Sequence, residues 1–120
     1  MTHADVQTWL DAYVASWRSN DAEAIAVLFT SEATYAYAPW REPLRGADAI
    51  VADWRREPDD PETWSATYAP LLVEGDRAVA TGETVYRNEG KTYSNMFVLR
   101  FEGGRCADFV EWYMKHPSRA

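Results

Sequence analysis

Apolar residues recur at spacings of three and four at the start of the chain. Val6, Trp9, Leu10, Tyr13, Val14 and Trp17 share one face, while Gln7, Asp11, Ser16 and Arg18 fall mostly on the other. That period predicts an amphipathic helix running to about Ser19, begun by a capping-box pair of Thr2 and Asp5. Asn20 with Glu23 predicts the cap of a second helix, carrying Ile25, Leu28 and Phe29 inward and stopping near Ser31. The period then changes to two. Ala33 to Ala38 reads as a short strand with Tyr35 and Tyr37 on one side. Pro39 and Pro43 hold a loop that exposes Trp40. A third helix follows Gly46, from Ala47 to about Glu57, with Ile50, Asp53, Trp54 and Glu57 on one face.

Beyond Pro58 and Pro61 the chain reads as strands. Thr63 to Val73, Arg77 to Arg87, Lys91 to Phe101 and Arg105 to Lys115 are separated by turns at Gly75-Asp76, Asn88-Glu89-Gly90 and Gly103-Gly104. Tight turns between consecutive strands imply antiparallel pairing. The expected architecture is α+β: three N-terminal helices packed on the concave side of a curved antiparallel sheet, with a pocket between the layers. Residues 1–120 are expected to form one domain.

Side-chain parity selects the pocket lining. On Lys91 to Phe101, Arg100 belongs in solvent, so Tyr93, Asn95, Phe97, Leu99 and Phe101 should face inward. Asn95 is then a polar group among apolar neighbours. The last strand is ambiguous. Phe109, Glu111 and Tyr113 make one face; Asp108, Val110, Trp112 and Met114 make the other, and both carry aromatics.

Composition narrows the function classes. A net charge of −7 repels phosphate backbones and argues against nucleic acid as a partner. The single cysteine, Cys106, cannot form an internal disulfide, which fits a cytoplasmic protein. Neither a secretory signal nor an apolar run of membrane-spanning length is visible, so no membrane association is expected. His3 and His116 lack partners at metal-ligand spacing, so no metal is expected. Cys106 has no neighbouring histidine to activate it.

The run from Asn20 to Trp54, a short capped helix, a two-tyrosine strand, a Pro/Trp loop and a Gly-opened helix, resembles the opening of the nuclear transport factor 2-like superfamily. That superfamily has a cone-shaped α+β fold, shared by SnoaL-like polyketide cyclases and ketosteroid isomerases. The similarity to ketosteroid isomerases runs almost without gaps from Ala12 to Trp54, and again from Val98 through Tyr113. It implies that Tyr13 matches the tyrosine that donates to the oxyanion. It also implies that Tyr37 and Phe97 stand where those enzymes have their general-base and protonated aspartates. Two of the three catalytic groups are therefore replaced, and steroid isomerisation by that mechanism does not carry over. The resemblance further implies that Asp53, Phe109, Glu111 and Tyr113 point inward, and that the convex sheet face, with Glu83 on it, forms a homodimer.

Asp53 and Glu111 are the candidate catalytic pair. A carboxyl among apolar side chains has a raised pKa and can act as general acid or base. The ordinary alternative is a rim Asp53 paired with Arg56, and a Glu111 paired with an arginine or a tyrosine hydroxyl. Tyr13, Tyr35 and Tyr37 could bind a ligand oxygen, or could be core residues with satisfied hydroxyls. Trp17, Trp54, Asn95, Phe97, Phe109 and Tyr113 complete the expected ligand-binding set, although tryptophans more often fill a core. Two functions follow. One is a cofactor-independent enzyme of isomerase, cyclase or dehydratase type, acting on a hydrophobic small molecule in the cone. The other is a non-catalytic ligand-binding or dimerisation module on the same fold. Epoxide hydrolysis is disfavoured, because no arginine clearly enters the inward face.

Overall fold

The computed structural model describes residues 1–117. Its elements run α1 (His3–Ser19), α2 (Ala22–Ala26), β1 (Phe29–Ala36), β2 (Leu44–Arg45), α3 (Ala47–Arg56), β3 (Trp64–Glu74), β4 (Arg77–Tyr86), β5 (Lys91–Glu102) and β6 (Arg105–Lys115). The capping box forms as expected: Asp5 N donates to Thr2 Oγ1 at 3.1 Å, and Thr2 N donates to Asp5 Oδ2 at 2.9 Å. Asn20 does not cap the second helix. It closes the first one in the left-handed region at φ 55, which asparagine tolerates better than most residues. Asp21 is the cap of α2, accepting from Ala24 N at 3.0 Å. The helix stops at Ala26, because Phe29 already pairs with Cys106 as strand.

The six strands lie in the order β2-β1-β6-β5-β4-β3. One pair departs from the all-antiparallel expectation: β1 runs parallel to β6, with Tyr35 beside Phe109. A parallel pair needs a long crossover, and here the whole β2 to β5 segment supplies it. The two-residue β2 is a further addition, pairing Leu44 and Arg45 with β1. Among the described residues no helix is long and apolar enough to cross a membrane.

The core forms where α1 meets the sheet. Val6, Trp9, Leu10 and Tyr13 are buried against Phe97, Leu99, Phe101 and Phe109. The odd positions of β5 thus face inward, and Arg100 faces out, bonded to Asp108 and Glu102. Cys106 is fully buried, and burial pushes its thiol pKa far up, which leaves it inert. Gly82 marks a close approach of β3 to β4. A Cβ there would fall 1.9 Å from the Thr67 carbonyl oxygen and 2.6 Å from Tyr68 Cδ1. Only glycine lets Tyr68 lie across this point.

The convex face carries its own apolar side chains. Val98, Trp112 and Met114 are 39%, 49% and 73% exposed. The register brings them together: Met96 lies opposite Trp112, Val98 opposite Val110, and Ser94 opposite Met114. Glu83 sits on this side beside Ser94, its carboxylate 3.8 Å from His116 Nε2.

Candidate functional site

The strands curve away from α1 and α3 beyond the core, and a cavity of about 550 Å³ opens there. All seven tyrosines of the chain line it: Tyr13, Tyr35, Tyr37, Tyr68, Tyr86, Tyr93 and Tyr113. The wall is therefore rich in hydroxyls as well as aromatic faces. Trp17, Trp54, Asn95, Phe97, Asp53 and Glu111 also reach it. Phe109 does not line the wall. It lies one layer beneath, fully buried, stacked on Tyr35 at 4.2 Å and tilted against Phe97 at 4.8 Å. The family resemblance implied its inward face but not its depth.

Glu111 enters from β6, opposite Phe97. Asn95 Nδ2 donates to Glu111 Oε2 at 2.7 Å, and Thr84 Oγ1 donates to Asn95 Oδ1 at 2.9 Å. A hydroxyl has one proton, so the Tyr68 hydroxyl, 2.5 Å from Thr84 Oγ1, must donate to it. The chain Tyr68–Thr84–Asn95 thus points every donor towards Glu111. Sequence reading missed Tyr68 and Thr84. Thr84 shares the even parity of β4 with Tyr86, which is the signal that would have found it, whereas Tyr68 lies on β3 outside that pattern.

Desolvation pushes the Glu111 carboxyl up from 4.5 to about 7, and the Asn95 hydrogen bond only partly opposes this. Glu111 is also the charge common to the tyrosine wall. After burial, its charge helps raise the pKa of Tyr13, Tyr35, Tyr37, Tyr68 and Tyr86. These phenols stay protonated and act as donors.

Their protons are not equally free. The hydroxyls of Tyr13 and Tyr35 lie 2.8 Å apart at the deep end. One donates to the other, which leaves one O–H of the pair for a ligand. Tyr37 donates its O–H to Asp53 Oδ2 at 2.6 Å. Arg56 donates to the other oxygen, Asp53 Oδ1, at 3.2 Å. Asp53 is thus engaged at both oxygens and bound to an arginine, unlike Glu111. Trp54 packs edge-on against Tyr13 at 5.2 Å, and Asn20 Nδ2 donates to the Trp54 carbonyl at 3.2 Å. Trp17 stacks on the buried Trp64 at 3.6 Å and donates its N–H to Asp59 at 3.2 Å. Tyr113, 53% exposed, stands at the mouth.

No cluster of three or more histidine, cysteine or acidic side chains positioned to hold a metal occurs among the described residues. Ser94, His116 and Glu83 cluster on the convex face, but serine and glutamate both approach the same ring nitrogen, Nε2. That is not a nucleophile–base–orienter relay, which uses both nitrogens.

Solved structures with this architecture are numerous. An NTF-2 like protein of unknown function from Burkholderia xenovorans superposes with a TM-score of 0.74 at 16% identity, covering 98% of this chain and 88% of that one. A Kribbella flavida protein, provisionally named a ketosteroid isomerase, gives 0.75 at 14% identity over 98% and 84%. A Sinorhizobium meliloti protein, provisionally named a polyketide cyclase, gives 0.68 at 20% identity over 93% and 100%. At such identities the likeness is one of fold. The family model of the SnoaL-like domain matches residues 10–109, and with most of its length so matched the chain belongs to the SnoaL-like family of the nuclear transport factor 2-like superfamily.

Proposed function

We propose that the cone binds a hydrophobic cyclic molecule bearing a carbonyl group, and that Glu111 moves a proton on it. The carboxylate takes a proton from the carbon beside the carbonyl. The C–H electron pair flows into the carbonyl, and the developing oxyanion is held by the free O–H of the Tyr13–Tyr35 pair. The resulting carboxylic acid returns the proton to the same or a conjugated carbon, so Glu111 ends as it began. The observation that carries this reading is a largely buried carboxyl, without an arginine partner among the described residues, at the end of a directed hydrogen-bond chain, where desolvation raises its pKa towards neutrality. Asp53 acts in this scheme as a positioning residue that fixes Tyr37, not as a second base.

The experiment is deuterium incorporation from D2O into a panel of hydrophobic cyclic ketones, followed by proton NMR. The expected result is enzyme-dependent exchange at the α-carbon of at least one ketone that binds. One observation favours the binding-only reading: Asp53 is committed to Arg56 and Tyr37, which leaves Glu111 without a free carboxyl partner. Tight ketone binding with no exchange anywhere in the panel would establish that reading and remove the catalytic one.

The apolar convex patch around Val98, Trp112 and Met114 supports a homodimer through that face. Light scattering on an eluting peak is expected to give the mass of two chains. Trp112→Glu should shift it to one chain, and a wild-type protein that is already monomeric at high concentration would contradict the assignment.

A further inference from the structure

We infer that the mouth of the cavity is a subsite for an ammonium group, so that the ligand in the cone is an amine or quaternary ammonium compound with a cyclic or aromatic body. The inference rests on the reading of the cone as a ligand site and names the class of molecule it takes.

Four aromatic rings make the frame. Trp17 meets Tyr86 at 6.4 Å and 62°, Tyr86 meets Tyr93 at 5.9 Å and 87°, and Tyr93 meets Tyr113 at 5.8 Å and 78°. Successive rings inclined at 62° to 87° turn their π-faces in different directions around one corner of the cavity. Such corners hold ammonium groups, whose charge is attracted by the negative ring faces. The hydroxyls of Tyr86, Tyr93 and Tyr113 have no side-chain partner among the described residues, unlike those of Tyr37 and Tyr68 deeper in the cone. This wall is therefore not organised as an internal hydrogen-bond network.

The charges are distributed to match. Asp59 accepts the Trp17 N–H, which places a carboxylate at the edge of the first ring. After burial, the largest influences on Tyr86 are Asp59, Glu111, Tyr93 and Glu89, and the charged groups among them are carboxylates. Glu89 has Lys91 at 4.0 Å, with both side chains partly exposed. The cations of the cavity sit by other rings: Arg56 on Asp53, and Arg41 at 6.0 Å over Tyr37 and 5.9 Å over Trp40. Arg18 lies 4.3 Å over the Trp64 ring on which Trp17 stacks, so this stack already holds one cation by a π-face. The cavity is thus polarised, with a negative field at the Tyr86 wall.

The test compares benzyltrimethylammonium with neopentylbenzene, its uncharged carbon isostere, and with phenylacetate, by calorimetry or ligand-observed NMR at low ionic strength. The inference predicts that the ammonium binds at least tenfold more tightly than either. It also predicts that Tyr86→Leu, which keeps an apolar side chain, loses most of that preference, and that Asp59→Asn weakens it and its salt dependence. Equal affinities, or preference for the isostere, would overturn the inference. Preference for phenylacetate would also overturn it and would place the ligand's charge by Arg41. Binding of none of the three overturns it as well. None of these probes undergoes proton exchange at a ketone, so loss of the ammonium subsite leaves the Glu111 proposal standing on its own test, and the converse holds.

Discussion

Glu111→Gln is expected to lower α-proton exchange by about 10²- to 10⁴-fold, the usual contribution of a positioned general base. The substitution keeps the shape of the side chain and an oxygen that can accept from Asn95. Ligand binding should therefore change little, so the loss should lie in kcat and not in KM. The same variant has a second, opposite signature in stability. The folded protein holds the Glu111 proton up to about pH 7, whereas the ordinary value is 4.5. Between those limits the folded state binds more protons than the unfolded one, so stability falls as pH rises through the window. At about 1.4 kcal/mol per pKa unit, the wild type should lose up to roughly 3 kcal/mol between pH 4.5 and 8. The glutamine variant has nothing to ionise there. Urea unfolding at pH 5 and pH 8 should show a flatter profile for the variant, and greater stability than wild type at pH 8. A variant that is less stable at both values would mark Glu111 as a structural residue.

The largest effect on folding is expected from Phe109→Ala. The ring is fully buried, lies nearly parallel to Tyr35 at 4.2 Å and Tyr13 at 5.5 Å, and tilts against Phe97 at 4.8 Å. Its removal leaves a void bounded by β1, β5 and α1, which cannot all collapse into it. The cost should be about 3–5 kcal/mol. A domain has roughly 5–15 kcal/mol in total, so this variant should melt far below wild type or fail to fold. Phe109→Leu tests the second part of the argument, because it keeps most of the volume and loses the stacking plane. It should fold, yet exchange more slowly, since Tyr35 and Tyr13 then lack the surface that orients their hydroxyl pair. A Phe109→Ala loss below about 1 kcal/mol would show that the ring is not packed as described.

Local chemistry was legible in the sequence and long-range pairing was not. The capping box, the three hairpin turns and the inward odd face of β5 follow from side-chain period and turn residues alone. The parallel seating of β1 on β6 carries no local signal, because its two strands are separated by most of the chain. Asn20 and Asp21 are both good cap residues, and only the left-handed φ of Asn20 decides between them. On β6 both parities are aromatic, and the register with β5 is what turns Glu111 towards the cavity. Depth was also hidden. Phe109 and Glu111 share a face, but one is under the wall and the other on it, because the sheet curves between them. The Tyr68–Thr84–Asn95 chain joins three strands: the parity of β5 turns Asn95 inward and that of β4 can do the same for Thr84, but no spacing rule links them to each other or to Tyr68 on β3.

The central claim is that the cavity holds Glu111 poised at neutrality. Carbon-13 NMR of the side-chain carboxyl, assigned by comparison with Glu111→Gln, measures that directly. The expected titration midpoint for Glu111 is about 7. A midpoint near the ordinary 4.5 would mean that the carboxyl is as well solvated as a surface glutamate, and would contradict the proposed proton transfer.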